Sequence, residues 1–261
     1  MKIVGWVLVL AIVMMTTPGL AESPQEKGQR LITEADKFHA GFKDYQTDGR
    51  MILEDSKGSK AERELALKVL EDSKDGDDSI MVFSTPKDVK GTALLIDSHV
   101  SKDDDRWLYL PAVKRVKRIA AAQKSGPFLG SEFTYEDLTP RIIEKYNYKY
   151  LKEAKCGKKK CHMIESLDKD KSARFPKQVV YLSESNNLTL RVDYYDKSDK
   201  LTKTLKASGF KKYKGKHWAP KRVVMTNKVN GKKTTFVYSN YRYGNGFSKS
   251  DFSQTALKRI R

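Results

Sequence analysis

The sequence predicts a mainly β chain built on one large, strongly curved antiparallel sheet or barrel. Three observations predict it. Short runs rich in β-branched and aromatic residues recur along most of the chain, turn formers separate them, and neither βαβ alternation nor an exact repeat is present.

The elements follow in order. "MKIVGWVLVLAIVMMTTPGLA" carries one lysine at Lys2, an apolar run from Ile3 to Met15, a break at Pro18, and small residues at Gly19 and Ala21. This predicts a signal peptide over residues 1–21, cleaved after Ala21 to leave Glu22 first. The apolar run is shorter than the roughly 20 residues a membrane span needs. Residues 25–40, "QEKGQRLITEADKFHA", place Leu31, Ile32, Ala35 and Phe38 at helical spacing. A first series of strands reads from "YQTDGRMILED", "ERELALKVLED", "SIMVFST", "TALLIDS" and "RWLYLP". A second reads from "IEKYNYKYLKEAK", "CHMIESLD", "KQVVYLSE", "LTLRVDYYD", "LTKTLKASGFKKY", "HWAPKRVVMTN" and "KTTFVYSNYRY". Asp75-Gly76 marks a turn, and Asn230-Gly231 predicts a type I′ hairpin.

Between the two series, "AAAQKSGPFLGSEFTYEDLTPRII" (120–143) does not read as strand. Gly126-Pro127, Gly130 and Pro140 break it, while Phe128, Leu129, Phe133, Tyr135 and Leu138 keep it apolar. Such a segment is either a lid over the concave face of the sheet or a packed plug within its core.

The stretch "DRWLYLP" alternates Trp107 and Tyr109 with Leu108 and Leu110, so both strand faces are apolar and both need cover. "VKRVKRI" beyond it places Arg115 and Lys117 beside Val113 and Ile119, as expected of a cavity rim or of a strand edge protected by charge.

The chain has 51 Lys+Arg against 33 Asp+Glu, a net charge of +18. Such an excess with interleaved aromatics can bind nucleic acid, but an exported chain meets little of it, so no nucleic-acid partner is expected. Anionic lipid headgroups, and peripheral contact with a membrane, fit the same charge. Cys156 and Cys161, in "KCGKKKCH", are expected to form a structural disulfide closing a hairpin. His39, His99, His162 and His217 show no metal-ligand spacing, "DGDD" lacks calcium-loop spacing, and no nucleophile elbow or phosphate loop is present. Ser84-x-x-Lys87 lacks a companion Lys-Thr-Gly. No catalytic residue, metal or cofactor is therefore expected.

"PKDVKGTALLI", "RWLYLP" and "SGPFLGSEFTYEDL" resemble the outer membrane lipoprotein-sorting (LolA-like) family of bacteria. The likeness is strongest between about Met51 and Leu138. "GPFLGS" is similar to a subfamily often found beside resistance-nodulation-type exporters. The resemblance implies an unclosed (half) β-barrel with an N-terminal helix and a helical or loop lid over an apolar cavity, residues 22–261 forming a single lipid-binding domain. It further implies a monomeric periplasmic carrier, not an enzyme, whose cargo is lipid or lipoprotein acyl chains. An inner-membrane exporter and an outer-membrane acceptor are the implied partners. The alternative use of the fold is a non-catalytic envelope sensor or accessory exporter subunit that binds a protein. The family's sorting carrier has a functionally important arginine before its proline; here Thr85 precedes Pro86. The expected cavity and lid residues are Met51, Phe83, Leu94, Ile96, Trp107, Tyr109, Phe128, Phe133 and Leu138. Lys87, Arg115 and Lys117 are the expected rim for an anionic headgroup.

Overall fold

The computed structural model describes residues 21–259; residues 1–20, where the sequence predicts a signal peptide, lie outside them. Helix α1 (Pro24–His39) starts where Ser23 and Glu26 form a reciprocal capping box, the Ser23 side chain accepting from the Glu26 amide. Its buried face is Gly28, Leu31, Ile32 and Ala35, at the spacing the sequence predicts. Phe38, expected on that face, is instead exposed.

Strands β1 (Asp44–Glu54), β2 (Lys60–Leu70), β3 (Asp78–Thr85), β4 (Ala93–Asp97), β5 (Asp105–Leu110) and β6 (Arg115–Arg118) form an antiparallel meander. Residues 119–145 follow without strand or α-helix. A second meander is β7 (Tyr146–Cys156), β8 (Lys159–Asp168), β9 (Lys177–Ser183), β10 (Thr189–Tyr195) and β11 (Leu201–Ser208). The small hairpin β12 (Lys211–Tyr213) and β13 (His217–Ala219) stands apart. Strands β14 (Arg222–Asn227) and β15 (Lys233–Tyr243) complete the main sheet, and α2 (Gln254–Lys258) lies near the C-terminus.

β15 pairs with both β1 and β14, and so joins the two meanders into one 13-stranded sheet in the order β6-β5-β4-β3-β2-β1-β15-β14-β11-β10-β9-β8-β7. Among the described residues β6 and β7 stay unpaired on their outer sides, so the barrel is not closed. Laid flat, β5 and β7 would stand tens of ångströms apart, at roughly 4.8 Å per strand. Instead Lys145, just before β7, makes a 2.7 Å ion pair with Asp104, just before β5. The sheet therefore curls until its two ends meet at one end of the trough.

Of two hairpins read from the sequence, one departs from its expectation and the other meets it. The β14–β15 connection is a five-residue loop, not a two-residue type I′ turn, with positive φ at Gly231 but not at Asn230. The Asn227 side chain accounts for this, accepting from the Val229 and Asn230 amides and imposing its own turn. The β7–β8 hairpin turns at Gly157 (φ 65°), and the expected Cys156–Cys161 disulfide closes it with Cα atoms 6.0 Å apart.

The concave face carries the main core: Met51, Leu65, Met81, Phe83, Leu94, Ile96, Leu108, Ile164, Val180, Leu182, Val192, Met225 and Phe236. Helix α1 packs on it through Leu31, Ile32 and Ala35. Gly28 makes this possible, because a Cβ there would stand 2.7 Å from the Tyr150 amide nitrogen of β7. A second cluster on the convex face joins Ile80, Ala93, Leu95 and Tyr109 to Phe252 and Leu257 of the C-terminal segment.

Candidate functional site

Residues 120–143 lie on the concave face. Phe128 is fully buried, with its ring 5.9 Å from Phe83 and 5.6 Å from Tyr135. Phe133 meets Phe236 edge-on at 4.9 Å. The segment makes few regular backbone hydrogen bonds with the sheet; polar contacts at its rim attach it. Arg63 of β2 donates to the Leu129 carbonyl at 2.8 Å, and Thr234 of β15 accepts from the Glu132 amide. Asn227 of β14 donates to the Glu132 carboxylate at 2.7 Å. Lys203 of β11 pairs with Asp137, both side chains about 5% exposed. Leu129 sits at φ 46°, a left-handed conformation rare for leucine, beside Gly130 at φ 77°. The contacts on either side hold it there.

Under the segment lies an apolar cavity of about 170 Å³ lined by Leu67, Val69, Met81, Leu94, Ile96, Phe133, Leu138, Val223 and Phe236. Next to it, where the sheet ends meet, opens a cleft of about 840 Å³ lined by many charged side chains. Asp137 and Leu205 line both spaces, so the turn around residue 137 separates them.

Charged and apolar side chains share the cleft. Buried Arg106, on the same face of β5 as Leu108, donates to Asp104 and to the Thr139 hydroxyl at 3.0 Å. The Arg141 guanidinium lies 4.0 Å from the centre of the Tyr146 ring and donates to Gln178 of β9 at 2.6 Å. Burial pushes the Tyr146 hydroxyl up to about 12 and also raises the Glu136 carboxyl, although Lys124 partly offsets the latter. Burial opposes the Lys124 ammonium, but Asp170, Glu136 and Asp103 outweigh it and raise its pKa. Lys124 in turn holds Asp170 down to about 2.

The structure places the expected residues unevenly. Leu94, Ile96, Phe133 and Leu138 line the apolar cavity; Met51, Phe83 and Phe128 belong to the core around it. Trp107 and Tyr109 do not belong with them. β5 pairs with β4 so that Leu94 faces Leu108, while Leu95 faces Trp107 and Ala93 faces Tyr109. Trp107 and Tyr109 therefore lie on the convex face under the C-terminal segment, and Leu108 takes the concave place. Arg115 and Lys117 sit on edge strand β6 opposite Leu110 and Leu108, and both are exposed, as is Lys87. None of these three lines the apolar cavity or the cleft. The cations that line the cleft, Lys102, Arg106, Lys124, Arg141, Lys145 and Lys169, were not singled out. Only Arg106 left a signal, its two-residue offset from Leu108.

A family model described as an uncharacterized protein matches residues 75–259. No curated protein matches the chain significantly. Among solved structures, a domain described as an outer membrane lipoprotein-sorting protein from Vibrio parahaemolyticus is 40% identical, with a TM-score of 0.88. The match covers 90% of this chain and 100% of that one. A DUF1329 family protein from Desulfovibrio piger is 29% identical, with a TM-score of 0.85, over 90% of this chain and 99% of that one. A LolA superfamily protein from Nitrosomonas europaea, 18% identical over 88% of this chain and 98% of that one, shares the fold with a TM-score of 0.69. With its unclosed 13-stranded sheet and a relative 40% identical over 90% of its length, the chain belongs to the outer membrane lipoprotein-sorting family.

Proposed function

We propose that this protein is a non-catalytic periplasmic carrier that takes lipid or lipoprotein acyl chains into the trough beneath residues 120–143. One observation carries the proposal: an apolar concave sheet face is covered by an irregular segment that polar contacts fasten at its rim. An acyl chain of ordinary length holds on the order of 12 kcal/mol of apolar transfer energy, at about 0.8 kcal/mol per methylene. Only a comparable apolar space can take it from a membrane. The 170 Å³ cavity is smaller than the ~300 Å³ at which small-molecule sites begin. Loading therefore requires Phe128, Phe133 and Leu138 to lift away, leaving their volume to the cargo. The charged cleft beside the cavity is placed to hold a polar headgroup. In this proposal residues 22–261 act as one unit, receiving cargo from an inner-membrane exporter and passing it to an outer-membrane acceptor.

Mass spectrometry of organic extracts from protein purified from the periplasm tests the proposal. Stoichiometric lipid, absent from extracts of a variant locked shut by a disulfide between the segment and β2, is the expected result. Empty protein that instead captures an envelope protein would favour a sensor or accessory subunit. The size of the cleft relative to the apolar cavity is the observation on that side.

A further inference from the structure

At the far ends of β3, β4 and β5, on the convex side of the sheet, acidic groups converge in a chain whose net charge is +18. Asp97 and Asp105 are cross-strand partners on β4 and β5, and His99 follows β4 by two residues. His99 is 7% exposed, and its Nδ1 lies 2.6 Å from the Asp75 carboxylate of the β2–β3 loop. Gly76 permits that approach, since a Cβ there would stand 2.7 Å from the backbone of Ser98. Asp75 also accepts from the Val100 amide at 2.8 Å, so the two loops are fastened together at this point.

With Nδ1–H donated to Asp75, the neutral ring turns the lone pair of Nε2 the other way. That atom is buried and has no hydrogen-bond partner. It faces Asp97 Oδ2 at 3.7 Å and Asp105 Oδ2 at 3.5 Å. In that form a lone pair aimed at two carboxylates is repulsive, and either a proton on Nε2 or a cation between the three groups relieves it. The spacing suits a small ion. Donors about 2.0–2.1 Å from a tetrahedral zinc ion lie about 3.3 Å from one another, close to the separations found here. The third side of the triangle is within reach as well, all three donor atoms lying within 4.8 Å of one another. Calcium would want six to eight oxygen ligands, which this cluster does not offer.

We propose that His99 Nε2, Asp97 and Asp105 bind a divalent transition-metal ion of the zinc class, with Asp75 orienting the ring from behind. A carboxylate on the far nitrogen is the usual outer partner of a metal-bound histidine. Lys249 contacts Asp97 through its other oxygen, and Arg118 does the same at Asp105. Lys102 shares Asp105 Oδ2 at 3.4 Å and is the one cation the metal would displace; it is 61% exposed and free to swing out. The bound ion would clasp the β4–β5 hairpin across the base of its loop, with the β2–β3 loop held to it through the Asp75–His99 bond.

The test uses purified protein without a polyhistidine tag, titrated with Zn²⁺ by calorimetry and with Co²⁺ by visible absorption. One equivalent of Zn²⁺ per chain and an intense tetrahedral Co²⁺ spectrum are expected. His99→Gln removes both, and Asp75→Asn weakens binding about 10- to 100-fold without abolishing it. Should His99→Gln fold poorly, the Asp97→Asn, Asp105→Asn double variant, which keeps the histidine, is expected to lose the Co²⁺ spectrum as well. Binding by His99→Gln equal to that of the unaltered protein overturns the proposal. So does a nitrogen NMR spectrum in which His99 is a charged imidazolium that one equivalent of Zn²⁺ leaves unchanged.

Discussion

Replacing Lys203 with methionine cuts the fastening between the covering segment and β11 while keeping an apolar stem where the lysine stood. Lys203 and Asp137 form a buried ion pair, and the lysine ammonium also lies 4.4 and 4.7 Å from the centres of the Phe175 and Tyr194 rings. Breaking such a pair by removing one partner costs about 3–5 kcal/mol, because the other charge stays buried. Asp137 keeps its bonds from the Thr134 amide and hydroxyl, each 2.7 Å, which favours the lower end. If the segment opens as a unit, this cost falls on the closed state and lowers the opening free energy by the same amount. Cargo that binds only the open form has an apparent affinity reduced by the fraction open. About 3 kcal/mol should then strengthen the apparent affinity for a fluorescent fatty acid by about 100-fold. Hydrogen exchange gives the matching local signal. The amides of Phe128 and Tyr135, bonded within the segment to Phe133 and Gly126, should exchange faster, while those of Val192 and Phe236 stay protected. A refuting result would be equal acceleration in segment and strands, a fall in global stability by the full amount, and unchanged fatty-acid affinity. The segment would then be core, and the trough would not open.

The remaining predictions concern the frame. Gly28→Ala forces a methyl against the β7 backbone at 2.7 Å and should destabilise the protein by about 1–3 kcal/mol in urea unfolding. Replacing Cys156 and Cys161 with serine opens a short loop and should cost about 2 kcal/mol on the chain-entropy estimate, with the β7–β8 hairpin losing exchange protection first. Burial lowers the pKa of His39, against a bond to the Asn187 carbonyl. The unfolded chain therefore binds more protons below about pH 6.5, and the stability contribution present above that value is lost as the pH falls through it. Denaturation midpoints of His39→Gln and the unaltered protein, compared at pH 7.5 and 5.5, should differ less at the lower pH in any comparison that the unaltered protein wins at 7.5. A constant difference would remove His39 from the pH response.

The elements themselves were legible in the sequence because they rest on neighbours in the chain. Leu31, Ile32 and Ala35 mark the buried face of α1 by their spacing alone, and alternating apolar residues mark β1 to β5 and β7 to β11. Cys156 and Cys161 bracket a turn too short to pair elsewhere. What depends on strand register was not legible. One residue of offset decides whether Trp107 or Leu108 faces the trough, and the β4–β5 pairing, with the C-terminal aromatics covering the other face, puts Leu108 there. For β6 the Val-Lys-Arg repeat left a cavity rim and a charge-protected strand edge both open, and pairing with β5 at the end of the sheet makes it the edge. The meeting of Asp104 with Lys145 and the fastening of Asp137 to Lys203 each join residues distant along the chain. Such contacts arise from the curl of the whole sheet, which sums small twists over thirteen strands and leaves no mark in any short stretch of sequence.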